Sequence, residues 1–266
     1  MKRNSDSCAI LFSGGTDSTC VAALAAESGY SVIHLLTYYD LSNKKSPSPY
    51  KNVEILKNKF PNITFEHHLK SSNNTFLFLY KNRFYKNILK YGLLPLSNCL
   101  ATSLSWHIET LKFCKDNNVI DVFDGLTNEM THLPGHMCYF IESVKALYSE
   151  SGIYYDNPVR DWEVPEDQQF IDRLIVDQHG YMFPSEEGIS LKTTGKYLFD
   201  QGIFEHPNIK GSDRDRKMQH DCYPFVLHNV IVFWFYLQKE NFESFQGKFN
   251  QFIKQKIIES QTLLTR

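Results

Sequence analysis

One run of residues near the amino end has the types and spacing of an anion-binding turn: Ser13, Gly14, Gly15, Thr16, Asp17 and Ser18. An apolar run at 8–12 precedes it and small residues follow at 19–26, so a strand turns directly into a helix. Backbone N–H groups and the helix dipole attract negative charge there, and glycines let an anion approach closely. The two serines add hydroxyl donors, and Thr16 or Asp17 can cap the helix. This pattern predicts a loop that binds the phosphates of a nucleotide.

The elements that position this turn alternate between strand and helix patterns. Apolar runs predict strands at 8–12, 31–37, 62–67, 119–124 and 152–155, with helices between them at 50–59, 74–91 and 99–115. Strands separated by helices pair in parallel through right-handed crossovers, which predicts a doubly wound, Rossmann-like α/β fold. Ligands of such sheets lie beyond the carboxyl ends of the strands. That rule selects the loops at 13–18, 37–45, 125–137 and 157–163.

The chain divides into two predicted regions. We predict that residues 1–200 form the α/β domain, in which 161–188 are an insertion or a moving loop. We predict that residues 201–266 form a mainly helical C-terminal region packed on the core. The aromatic residues of that region predict a packing surface that either covers the core or forms a homodimer contact. They are Phe225, Phe233, Phe235, Phe242, Phe245, Phe249 and Phe252.

Composition excludes several classes of protein. The 28 basic and 30 acidic residues give a net charge of −2, so no basic field favours nucleic acid as a partner. Six scattered cysteines without a Cys-x-x-Cys pair do not form a secreted disulfide framework. The apolar run at 230–237 is too short to cross a bilayer, so no membrane partner is expected. We expect a cytoplasmic protein.

The run at 13–18 resembles the Ser-Gly-Gly-x-Asp-Ser signature of the PP-loop ATP pyrophosphatases, an adenine nucleotide alpha hydrolase-like superfamily, at every position. The resemblance implies the HUP-type variant of the fold and a ligase that uses ATP and Mg²⁺. Members cut ATP between the α and β phosphates, join AMP to a substrate oxygen and release pyrophosphate. It also implies that adenine lies at the end of the second strand, against Leu36, Thr37 and Tyr38.

Within that superfamily the chain is most similar to the 7-cyano-7-deazaguanine synthases of queuosine biosynthesis. The similar segments are Gly125 to Glu129, Gly135 to Cys138, Pro95 to Asn98, Asn157 to Val159, and His220 to Tyr223. They add Asn98 and Gly125 to the nucleotide site, and imply a deazapurine carboxylate as substrate and ammonia as nitrogen donor. The family's Arg before Asn98 is missing, and of its four zinc-binding cysteines only Cys222 remains. Because a closed zinc site needs four ligands, no structural zinc is expected.

The expected roles of the remaining side chains follow from this hypothesis. The candidate catalytic residues are Asp17, Ser18, Lys192 and Arg160. Arg160 is included because a guanidinium binds a carboxylate or a phosphate through two hydrogen bonds. Asp17 and Glu129 are the candidate Mg²⁺ ligands, although helix capping is an alternative role for Asp17. Lys192 either reaches the phosphates or is a solvated lysine at a helix start. The candidate substrate contacts are Asn128, Glu129, His132, His136 and Arg160.

Two other functions remain open from the sequence. A PP-loop enzyme that modifies tRNA by thiolation or lysidine formation shares the same loop, although it would favour a basic face and, for many thiolases, paired cysteines. A non-catalytic module that senses ATP or AMP also shares it. Consumption of ATP separates the enzyme from the sensor.

Overall fold

The computed structural model describes residues 1, 4–41, 48–128, 131–163, 193–206 and 223–264. Five strands form one sheet in the order β3-β2-β1-β4-β5, and every neighbouring pair is parallel. The strands are β1 (Ser7–Leu11), β2 (Val32–Tyr39), β3 (Thr64–Ser71), β4 (Asp121–Asp124) and β5 (Tyr154–Asp156). The strand order reverses direction between β1 and β4, so the predicted doubly wound, Rossmann-like α/β fold is confirmed.

Helices connect the strands and continue beyond the sheet. They are α1 (Thr16–Glu27), α2 (Ser48–Lys59), α3 (Asn73–Lys81), α4 (Phe84–Tyr91), α5 (Cys99–Asn117), α6 (Cys138–Glu150), α7 (Thr194–Asp200), α8 (Tyr223–Ile231) and α9 (Phe242–Gln261). Short 3₁₀ turns lie at Leu94–Ser97 and Pro134–His136, and a π turn at Val232–Tyr236 follows α8. Among the described residues, no helix combines the length and apolar character that crossing a membrane requires.

The sheet separates two apolar cores. Alternate side chains of β1 point to opposite faces, so Cys8 and Ile10 enter the core beneath α1 and α2, while Ala9 enters the core beneath α5 and α6. Strands buried on both faces are continuous apolar runs, which is why β1 was recognisable from its residues.

The C-terminal helices complete the second core. Four phenylalanines of α9 that recur at helical spacing are at most 8% exposed: Phe242, Phe245, Phe249 and Phe252. They join the core that contains residues of α5 and α6. Phe235 lies on the π turn and is 49% exposed, so the predicted aromatic surface is buried on α9 and partly exposed before it. The homodimer stays a prediction.

The structure corrects one helix. A single helix was expected at 74–91, but α3 ends at Lys81 and α4 begins at Phe84. Arg83 between them has a left-handed φ of 54°. At this break the buried Lys256 Nζ of α9 donates to the carbonyl oxygens of Leu79 at 2.6 Å and Asn82 at 3.0 Å. A cation at a helix C-terminus stabilises its unpaired carbonyls.

Candidate nucleotide-binding site

A cavity of about 260 Å³ opens at the carboxyl ends of β1, β2 and β4. The signature turn forms one wall, the end of β2 another, and the segment after β4 a third. The lining residues are Leu11, Phe12, Ser13, Gly15, Asp17, Ser18, Leu36, Thr37, Tyr38, Ser103, Trp106, His107, Asp124, Gly125, Leu126, Gly135 and Phe140. This is the edge at which a doubly wound sheet binds its ligands.

The signature turn is tightly held from outside the cavity. Gly14 has φ +78°, and a Cβ atom there would lie 2.5 Å from the Cα of Pro49 at the start of α2. The Asn52 side chain of α2 donates to the Gly14 carbonyl oxygen at 2.7 Å. The turn therefore needs glycine at position 14, and α2 fixes its shape.

Hydroxyl groups lie along the inner side of the turn. The Gly15 N–H donates to Ser13 Oγ at 3.2 Å, and Ser13 Oγ lies 3.2 Å from Ser18 Oγ. Both serines line the cavity. An anion that enters here would exchange these weak contacts for bonds from the same donors at the N-terminus of α1, which the helix dipole favours.

The helix start itself differs from the expectation. Gly15 is the N-cap of α1, and no side chain caps the helix, so neither Thr16 nor Asp17 has the predicted capping role. Instead, the Asp17 carboxylate accepts a hydrogen bond of 2.6 Å from Thr194 Oγ1 at the start of α7. Asp17 lines the cavity. A second helix, α7, therefore helps to position this carboxylate.

Gly125 allows the loop after β4 to meet the signature turn. A Cβ atom at this position would lie 2.6 Å from the backbone nitrogen of Ser18 and 2.7 Å from the carbonyl carbon of Asp17. These are backbone atoms that have no room to move aside. The two loops therefore approach as closely as their backbones permit, and only glycine fits.

A buried carboxylate lies beneath this junction. Asp124 accepts hydrogen bonds from the hydroxyl of Tyr155, the side-chain amide of Asn157 and, at 2.9 Å, the backbone N–H of Leu126. Burial raises the pKa of Asp124 to about 6, and the three hydrogen bonds and the nearby Arg160 counteract part of that rise. Asp124 thus holds the ends of β4 and β5 together at the cavity wall.

The cavity wall formed by α5 and α6 was not predicted. Ser103, Trp106 and His107 stand at i, i+3 and i+4 on α5, so they share one helix face, and Phe140 of α6 lies beside them. Burial lowers the pKa of His107 to about 3, so the ring is neutral at physiological pH. The helical spacing was visible in the sequence, but it does not reveal which neighbour that face meets.

The predicted nucleotide residues divide between the cavity and its surroundings. Of the eleven, eight line it: Ser13, Gly15, Asp17, Ser18, Leu36, Thr37, Tyr38 and Gly125. Gly14 and Thr16 belong to the same turn but do not line the cavity. Asn98 lines a different, much smaller cavity beside Leu79 and Phe252, because it starts α5 on the side that faces α9.

The four predicted substrate contacts that the structure describes lie outside the cavity lining: Asn128, His132, His136 and Arg160. His132 is buried, lies 3.0 Å from Asn229 Oδ1 of α8, and its carbonyl oxygen is 2.9 Å from His228 Nε2. His132 therefore connects its loop to α8. Asn128 donates to Asp161 at 3.0 Å at the exposed surface.

Arg160 and His136 lie together next to the cavity. Arg160 Nη2 donates to the His136 carbonyl oxygen at 3.4 Å and contacts Cys138 Sγ at 3.5 Å, while Nη1 is buried without a hydrogen-bond partner among the described residues. A cationic donor is therefore held beside Gly135, which does line the cavity. Glu129 and Lys192, like His220 and Cys222, lie outside the described residues.

Comparisons with known proteins add little to this geometry. No protein-family model matches the chain, and no curated protein matches it. Among solved structures, it is similar to a predicted subunit of a tRNA methyltransferase from Methanocaldococcus jannaschii, at 20% identity over 76% of this chain and 89% of that one. The TM-score of that pair is 0.38, which is too low to bear on function.

Proposed function

We propose that this protein is an ATP-dependent adenylating ligase of the PP-loop type. One observation carries the proposal: the complete Ser-Gly-Gly-x-Asp-Ser turn forms the wall of the cavity of about 260 Å³ at the ligand-binding edge of the sheet. Residues from three strand ends meet there, and the first turn of α1 lines the same cavity, where a helix N-terminus favours an anion.

The cavity has a polar end and an apolar side, which suits a nucleotide. The triphosphate would lie at the polar end, where Ser13, Gly15 and Ser18 supply hydroxyl and N–H donors. Adenine would lie against Leu36 and Tyr38, whose side chains are nearly buried at the end of β2. In a mainly apolar cavity, a small number of well-placed polar groups is sufficient to orient a bound ligand.

The Asp17 carboxylate meets the requirements of a magnesium ligand. Mg²⁺ in nucleotide sites takes one or two carboxylates together with phosphate oxygens, and Asp17 faces the cavity from the turn that would hold those phosphates. The ion would neutralise charge on the phosphate oxygens. The Thr194 hydroxyl keeps the carboxylate in place through its hydrogen bond of 2.6 Å.

The reaction would proceed by in-line displacement at the α phosphorus. A carboxylate oxygen of the substrate forms a bond to that phosphorus, and the bond to the β-phosphate oxygen breaks, with its electron pair leaving on pyrophosphate. Ammonia or another nucleophile then adds to the acyl carbon and displaces AMP. The donors of the turn stabilise the charge that develops on the leaving pyrophosphate, which is electrostatic catalysis without a covalent protein intermediate.

A planar heterocyclic acid, of the 7-carboxy-7-deazaguanine class, is the proposed substrate. The unpredicted wall of the cavity supports this choice, since Trp106 and Phe140 offer aromatic surface to a ring. The partly unpaired guanidinium of Arg160, beside that wall, could receive the carboxylate. The resemblance to deazaguanine synthases points in the same direction.

The test is a product analysis with purified protein, MgATP, ammonium and this acid. We expect AMP and pyrophosphate in equal amounts, and ADP as the sole nucleotide product would contradict the proposal. Asp17→Asn should reduce turnover at least 100-fold, as removal of a key electrostatic group does. Asp116→Asn, on the exposed end of α5, is the matched control and should retain full activity. Binding of ATP without consumption would indicate a nucleotide sensor instead.

A further inference from the structure

A second cluster of chemistry-bearing side chains lies on the sheet, away from the cavity. His34 of β2 stands directly beside Glu66 of β3, and His68 follows Glu66 by two residues. Alternate residues of a strand share a face, so all three side chains project from the same side of the sheet. Two imidazoles and one carboxylate are a common ligand set for a divalent transition metal.

The donor atoms converge. His34 Nδ1 lies 3.1 Å from Glu66 Oε2 and 3.3 Å from His68 Nε2, and His68 Nε2 lies 3.5 Å from the same carboxylate oxygen. A tetrahedral zinc ion with ligand bonds of about 2.0–2.1 Å holds its donor atoms about 3.3–3.4 Å apart. The triangle formed by these three donor atoms therefore has the size of one face of a zinc coordination tetrahedron.

Hydrogen bonds account for only part of this arrangement. Each neutral imidazole nitrogen either donates one hydrogen or accepts one, so both rings can donate to Glu66 Oε2. The contact of 3.3 Å between His34 Nδ1 and His68 Nε2 then has no hydrogen between the two nitrogens. A single cation at the centre would accept a lone pair from all three.

The surroundings keep the cluster in place and leave one side open. The rings of His34 and His68 pack against Phe113 of α5, with centroids 5.3 and 5.0 Å away. The side chain of His34 is 13% exposed, that of His68 28% and that of Glu66 47%. Lys70, the next residue on this face, places its Nζ over the Phe113 ring at 4.9 Å.

We propose that His34, Glu66 and His68 bind a zinc ion, with water from the open side as the fourth ligand. The ion would join β2 to β3 at a point two residues before Leu36 of the cavity wall. Zinc binding at this cluster is separate from the proposed reaction, so either can fail without the other.

The experiment uses the full chain after dialysis against EDTA, titrated with zinc chloride in competition with a chromophoric chelator. We expect one zinc ion per chain, and cobalt(II) chloride should give the strong visible bands of tetrahedral cobalt. Glu66→Gln and His68→Gln should each weaken zinc binding about tenfold or more and abolish the cobalt bands.

Matched controls separate a lost ligand from a damaged fold. Glu54→Gln removes an exposed carboxylate of α2, and His67→Gln removes the imidazole that lies between the two β3 ligands in sequence but contacts Thr37 on the other face. Both should bind zinc as the wild type does. The metal-free Glu66→Gln variant should unfold at the wild-type temperature, since the Glu66 side chain is 47% exposed. Absence of zinc binding by the wild type, or unchanged binding in Glu66→Gln and His68→Gln, would overturn the proposal.

Discussion

Two loops of the site meet where Gly125 approaches the first turn of α1, and a methyl group there would collide with the backbone of Asp17 and Ser18. We predict that Gly125→Ala destabilises the protein by about 1–3 kcal/mol, since overpacking forces backbone shifts. The variant should also bind MgATP more weakly, because the displaced backbone belongs to the phosphate turn. Urea unfolding measures the first effect and calorimetry the second.

Gly247 is the control for that change. It lies within α9, and a Cβ atom there would meet nothing within 4 Å. Gly247→Ala should therefore stabilise the protein by about 0.5–1 kcal/mol through reduced backbone entropy of the unfolded chain. Equal effects of the two substitutions would show that the contact between Gly125 and α1 is unimportant.

The buried Asp124 predicts a pH dependence of stability. Its folded pKa of about 6 lies above the ordinary aspartate pKa of 3.8, so the folded state binds the proton more tightly than the unfolded state. The stability contribution of this group is fully present below pH 3.8 and is lost as the pH rises through 6, by roughly 3 kcal/mol in total.

The measurement is the free energy of unfolding in urea between pH 4 and pH 7, for the wild type and for Asp124→Asn. The difference between the two should fall with rising pH, since other groups titrate alike in both proteins. A difference independent of pH would mean that Asp124 titrates near its ordinary value in the folded state.

Residues of the signature turn could be predicted because their chemistry is local. Its six consecutive residues, from 13 to 18, connect the end of a strand to the start of a helix. Ser103 and Trp106 could not be assigned to the cavity, because their place depends on how α5 packs on the sheet. The same limit applies to the contact of His132 with Asn229, 97 residues further along the chain, which no local pattern indicates. The substrate contact of His132 stays a prediction.

Among the elements, the π turn after α8 is attached to the end of α4 through one hydroxyl group. Tyr236 donates to the Tyr91 carbonyl oxygen at 2.7 Å and accepts from the Leu93 N–H at 3.0 Å. We predict that Tyr236→Phe lowers the free energy of unfolding by about 1–3 kcal/mol, because two backbone groups lose their partner.

Thermal or urea unfolding measures this loss, and Tyr85→Phe is the matched control because that side chain is 82% exposed. Tyr85→Phe should leave stability unchanged. An unchanged stability in Tyr236→Phe would show that water replaces the hydroxyl at no cost, and that other contacts attach the C-terminal helices.

The elements were predictable where their pattern is periodic and local. Strand β1 and helix α5 were expected within two residues of their observed bounds, since each is a continuous apolar or helical run. The break between α3 and α4 was not, and the side chain that satisfies the carbonyl group of Asn82 there is Lys256 of α9, 174 residues away. Long-range capping of this kind leaves no mark in the local sequence.

For the molecule as a whole, the sheet order explains why the site forms where it does. The strand order changes direction between β1 and β4, so the helices that follow these two strands lie on opposite faces of the sheet. This leaves a crevice at the carboxyl ends of the two strands. The alternation of strands and helices was sufficient to predict this crevice. It was not sufficient to predict the helical wall of α5 and α6 or the packing of α9, which depend on tertiary contacts.

The central claim is that the signature turn holds the phosphates of ATP, and a calorimetric titration of the wild-type protein with MgATP tests it without knowledge of the substrate. We predict saturable heat with one nucleotide per chain at millimolar concentrations or below, competition by inorganic pyrophosphate, and weaker binding by Gly125→Ala. Absence of saturable heat from the folded protein, or ATP binding that pyrophosphate does not reduce, would contradict the claim.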